Sequence, residues 1–261
     1  MTSKYRLTIF VSEDTFPALK KAGYRLCIAK EVNGKYDVAF QTVKDIVYQS
    51  DFEFEERFRV FGTRKFEVGE TAQPFTRKVP LLSGQELTLD VDGVFSPASG
   101  PVDPSKPFMV NNQYAYPLHF GVDAVVDNDY NTAFVHEMAV LSGEIFMAPK
   151  KKLLIWFDKG LETGMMFNHT VSNCLQLDFT ETNDLTISYA APSKTAPEKG
   201  IWSFGPLPVL GQTYHPETNT FSLTPAILPS EDELRRLGEL LRLEPPTHSK
   251  RQLAITANGN A

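Results

Sequence analysis

His119, Asp123 and Tyr130 have the residue types needed for acid–base chemistry without a cofactor. An imidazole, a carboxylate and a phenol held in one cavity can move a proton to and from a substrate. In an extended strand His119 lies on the face opposite Leu118 and Phe120. If that face lines a cavity, His119 and Asp123 form an acid–base pair. If it faces water, His119 is an ordinary strand-surface histidine. A second candidate is Asp127-Asn128-Asp129-Tyr130-Asn131. It sets oxygen donors at the first, third and fifth positions of a calcium loop. Thr132 stands where such a loop needs Gly, and Met138 where it needs a bidentate Glu. Asp and Asn also stabilise tight turns without any ion, so a hairpin turn is the expectation.

Other chemistries find little support. His136-Glu137 begins a zinc-protease pair, but Val140 replaces the second histidine. The five histidines have no ligand spacing. The chain contains no G-x-S-x-G, no phosphate-cradling glycine loop and no dinucleotide fingerprint. No cofactor and no metal is therefore expected. Cys27 and Cys174 read as free thiols, which suits a reducing, cytoplasmic setting. A net charge of −6 gives nucleic acid no basic field to bind. Lys150-Lys151-Lys152 is a local exception, read as the solvated start of a strand. No apolar run reaches the length of a transmembrane helix.

The elements that must position these residues are strands. Leu7, Ile9 and Val11 recur with period two, as do Leu26 and Ile28, then Tyr36, Val38 and Phe40. So do Leu118, Phe120 and Val122, and later Leu185, Ile187 and Tyr189. Such alternation predicts strands with one buried face. Asn33-Gly34 predicts a tight hairpin turn. Leu153 to Phe157 is apolar throughout and predicts a strand covered on both faces.

Two stretches follow a similar order about ninety residues apart. Tyr24 matches Tyr116, Tyr36 matches Tyr130, Phe40 matches Phe134, Phe61 matches Phe157 and Gly69 matches Gly164. Leu87-Thr88-Leu89-Asp90 matches Leu175-Gln176-Leu177-Asp178. This order predicts an all-β fold: a β-sandwich built from two related antiparallel β units, at 1–95 and 108–191. Residues 96–107 connect them. A Pro-rich strap follows at 192–229, then a short amphipathic helix at 230–244 and a disordered tail at 245–261. Ser230 and Glu233 form a capping box for that helix.

The segment Tyr24-Arg25-Leu26-Cys27-Ile28-Ala29-Lys30, with Phe61-Gly62-Thr63 and Trp156-Phe157-Asp158, resembles a pattern in a family of uncharacterised fungal proteins. The resemblance spans about residues 4–190 and implies no particular activity. The layout is also similar to cytolysin-like and lectin-like β-sandwiches, and architecture alone does not transfer function. The expected function is non-enzymatic recognition through loops or the cleft between units. The ligand would be a small molecule, glycan, lipid headgroup or protein. The alternative is a cofactor-independent isomerase, cyclase or hydrolase using His119, Asp123 and Tyr130. Exposed sheet edges could also pair two copies into a homodimer.

Overall fold

The computed structural model describes residues 3–168, 171–207, 212–215 and 220–223. The chain divides into two compact units, Met1–Leu207 and Pro208–Ala261. The described part of the second is a hairpin of Gln212–His215 and Thr220–Leu223. The expected helix at 230–244 and tail at 245–261 lie outside the described residues.

The first unit is an all-β, sandwich-like fold in which no sheet closes. Its strands run β1 (Lys4–Val11), β2 (Arg25–Val32), β3 (Gln41–Val43), β4 (Gln49–Thr63), β5 (Val79–Leu81) and β6 (Glu86–Leu89). They continue as β7 (Phe108–Asn112), β8 (His119–Val126), β9 (Asp129–Val135), β10 (Gly143–Met147), β11 (Pro149–Asp158), β12 (Leu175–Asp178), β13 (Asp184–Ala190) and β14 (Ile201–Phe204). One short α-helix, α1 (Phe16–Lys21), follows β1. The largest sheet runs β14-β13-β1-β4-β8-β9, with β5 also on β4. A second runs β12-β11-β2-β3 and a third β10-β7-β6. No helix among the described residues is long and apolar enough to cross a membrane.

The strand pairings of the two halves correspond closely. Both β2 and β8 end in two residues of positive φ: Asn33 and Gly34 at 54° and 77°, Asp127 and Asn128 at 51° and 71°. Such turns match the twist of the strands they join. The Asp127 segment is thus a hairpin turn, with its carboxylate accepting the Glu53 N–H at 2.8 Å. In the β2–β11 pair, Cys27 faces Trp156, Ile28 faces Ile155, Ala29 faces Leu154 and Lys30 faces Leu153; after a shift Val32 faces Pro149. In the β8–β4 pair, Gly121 faces Phe61, Val122 faces Val60, Asp123 faces Arg59 and Ala124 faces Phe58; after a shift Val126 faces Phe54. The irregularity falls at the same step of both ladders. The parallel pairs correspond as well, β1 with β13 and β7 with β6. Each of these four pairs joins a strand from 4–89 to one from 108–190, so strands are exchanged between the halves.

This register corrects parts of the sequence alignment. Leu175–Asp178 occupies, beside β11, the place that Val79–Leu81 occupies beside β4. Leu87–Asp90 is therefore not its counterpart. Trp156, not Phe157, corresponds to Phe61. The expected strand through Tyr36, Val38 and Phe40 is also absent. Its backbone turns away from β2: Val38 bridges Met166, and the Ala39 N–H donates to the Met165 carbonyl at 2.9 Å. Nor does β2 bury one face only, since Cys27 and Ala29 are enclosed along with Leu26 and Ile28.

Close packing at the β8–β4 pair makes a sharp prediction. A Cβ on Gly121 would lie 2.2 Å from the Phe61 ring, which is fully buried. Gly121→Ala should cost about 1–3 kcal/mol or more through overpacking. Phe61→Leu in the same chain should recover much of it. Urea denaturation of the single and double variants checks this. An undiminished midpoint in Gly121→Ala would show that the ring has room to move.

Candidate functional site

A cleft of about 610 Å³ opens where the two halves meet. Its lining includes Ser3, Glu56, Leu82 and Ser83 from the first half, and Pro149, Lys150, Lys151 and Thr180 from the second. Val102 and Pro104, from the connecting loop, complete the apolar wall. The register makes several of these positions counterparts. Phe54 and Pro149 correspond, so Glu56 and Lys151 correspond two residues later. The irregular steps of β4 and β11 thus face the cleft with opposite charge.

Beneath the cleft lies Lys30, only 1% exposed. Its ammonium donates to the Tyr5 hydroxyl at 2.7 Å, the Glu56 carboxylate at 3.1 Å and the Lys150 carbonyl at 2.9 Å. All three ammonium protons are therefore used. The same nitrogen lies 5.2 Å from the Tyr5 ring centre and 5.8 Å from that of Phe58. Glu56 retains a side-chain exposure of 20%. The cleft consequently has a fixed carboxylate on its floor, with two lysines and several hydroxyls around it.

The Lys30–Tyr5 pair sets a pH dependence. Burial pushes the Tyr5 hydroxyl up to about 12, and the Glu56 charge adds to this, while Lys30 opposes it. For Lys30, burial pulls the ammonium down, but Tyr5 and Glu56 outweigh it and the net shift is upward. Both groups hold their proton more tightly folded than unfolded. Their stabilisation is therefore complete below about pH 10 and is lost as pH rises towards about 12. Unfolding measured across that window should show a steeper loss for the native chain than for Tyr5→Phe. Equal slopes would contradict the assignment.

His119, Asp123 and Tyr130 are not in this cleft. Asp123 is fully buried within β8. One of its oxygens accepts from Arg59 at 2.7 Å and Lys78 at 2.8 Å, and the other from Thr132 at 3.0 Å. Tyr130 joins this cluster, with the Arg59 guanidinium 3.9 Å from its ring centre. His119 lies four residues along the strand, about 13 Å away. Its Nδ1 contacts the His136 carbonyl at 3.0 Å, and its ring lies beside Phe66. The structure thus gathers two of the three residues and separates the third. Two cations and a hydroxyl take three of the roughly four lone-pair sites of the Asp123 carboxylate, which leaves it poorly placed to accept a substrate proton.

Lys30 and Glu56 are site residues that the strand patterning does not single out as chemical candidates. Lys30 did carry a signal. It sits in phase with Leu26, Ile28 and Val32, so period two puts a lysine on the apolar face. Glu56 carried none, because its direction depends on the irregular step in β4. Comparison with protein-family models, curated proteins and solved structures finds no match.

Proposed function

We propose that this chain is a recognition protein that holds a small molecule in the cleft between its two halves. The carrying observation is the junction itself: both halves supply its walls, and a buried lysine fixes a carboxylate on its floor. The crossed strand register supports a duplicated β unit, and the cleft lies between the copies. Leu82, Val102, Pro104 and Pro149 offer apolar surface to the ligand body. Lys150 and Lys151 offer an anionic group a partner, while Glu56, Ser83 and Thr180 suit hydroxyls. The ligand is therefore a small amphipathic molecule with an anionic head.

A thermal-shift screen of aliphatic and aromatic carboxylates tests this. A ligand at one hundred times its dissociation constant should add about 2.7 kcal/mol to stability. Val102 is 55% exposed, so Val102→Trp can obstruct the cleft without entering the core. It should abolish the shift. A shift that persists in this variant places binding elsewhere.

The second reading is a cofactor-independent acid–base enzyme. It is favoured by the Lys30–Glu56 pair, which holds a carboxylate on the floor of the cleft. Glu56 would be the base in that case, with Lys30 positioning it. Glu56→Gln would then bind substrate but lose turnover.

A further inference from the structure

We propose a second binding site, for a neutral glycan, on the loops that follow β4 and β7. Four side chains form a continuous row there. Tyr116 and Tyr114 have ring centres 5.5 Å apart, and Tyr114 and Phe75 5.8 Å. The Arg64 guanidinium lies 3.9 Å from the Phe75 ring centre. Tyr116 is 67% exposed and Phe75 39%. Leaving aromatic surface in water forgoes stabilisation of about 25 cal/mol per Å². Tyr116 and Phe75 nevertheless keep that surface exposed.

The row is held in place from behind. Asn112, 1% exposed, donates to the Val140 and Leu141 carbonyls at 3.0 and 3.2 Å and accepts the Tyr114 N–H at 3.1 Å. Gly93 lets the Tyr114 ring lie close, since a Cβ there would approach it to 3.3 Å. The Phe75 N–H donates to the Gly62 carbonyl at 2.8 Å. Backbone anchored this way at Tyr114 and Phe75 needs little further ordering when a ligand docks, which favours binding.

Beside the row lies a cleft of about 560 Å³, which Phe75 and Arg64 also line. Its polar lining includes Lys65, Glu67, Glu70 and Gln73. Two cations and two carboxylates balance, so the cleft has no charge preference of its own. A membrane surface or nucleic acid would call for excess positive charge. Sugar rings instead present C–H faces to aromatic rings and hydroxyls to carboxylates, amides and guanidinium groups. That combination is what the row and its cleft supply.

The test is isothermal titration of the full chain with soluble hexasaccharides: cellohexaose, chitohexaose, laminarihexaose, xylohexaose and mannohexaose. At least one should bind, and Tyr116→Ala and Phe75→Ala should each weaken it by about tenfold. Both side chains are exposed, and circular dichroism should confirm that the variants fold. Val102→Trp, which obstructs the other cleft, should leave glycan affinity unchanged. The site is overturned if no hexasaccharide binds at millimolar concentration. It is overturned equally if binding survives both aromatic variants, or if Val102→Trp alone removes it. The last outcome would assign the sugar to the cleft between the halves.

Discussion

Lys30→Met should lower the free energy of unfolding by about 3–5 kcal/mol, the usual cost of removing one partner from a buried ion pair. For a unit of this size that corresponds to a fall in melting temperature of about 6–20 °C. Methionine roughly preserves the volume, so the loss reports the stranded Glu56 carboxylate and Tyr5 hydroxyl rather than a cavity. The effect should shrink when Glu56→Gln is added, because the unpaired charge is gone. Thermal melts of both variants decide it. A small effect in Lys30→Met would mean that Glu56 regains water through the cleft, and that the lysine is not its anchor.

The second large effect concerns the cluster around Asp123. Asp123→Ala should cost about 2–4 kcal/mol, at or below the range for a fully buried pair, because Arg59 and Lys78 retain side-chain exposures of 28% and 30% and can turn to water. The other half of the molecule shows what can replace this cluster. Ala29 faces Leu154 where Asp123 faces Arg59, and the Ala29 side packs as a small apolar core with Trp156 and Phe167. The double variant Asp123→Ala/Arg59→Leu copies that arrangement. It should recover at least half of the loss, since apolar replacements of buried ion pairs are often neutral or stabilising. Failure to recover in urea denaturation would show that the two halves do not share a packing scheme despite their shared register.

Much of the fold is legible in the sequence wherever one residue face alternates with the other. The period of two located β1, β8 and β13, although β8 is buried on both faces rather than the expected one, and Asn33-Gly34 and Asp127-Asn128 announced their turns through residues that tolerate positive φ. The site is much less legible. The cleft depends on exchanged strands, irregular steps in β4 and β11, and a connecting loop, and none of these leaves a periodic trace. Asp123 and Tyr130 looked catalytic because an acid and a phenol can be; the register instead gives the acid two cations and a hydroxyl. His119 shares a face with Asp123, but strand rise alone keeps them too far apart to act together. The lysine at the apolar phase of β2 was the strongest available clue, because a charge placed there needs buried partners.

A ligand held at the junction of the two halves should survive native purification. Mass spectrometry of organic extracts detects it, comparing the natively purified chain with Val102→Trp purified in parallel. The first extract should contain a stoichiometric amphipathic small molecule with an anionic group, and the second should lack it. A molecule retained equally by both would rule out the cleft as its site and move recognition to another surface.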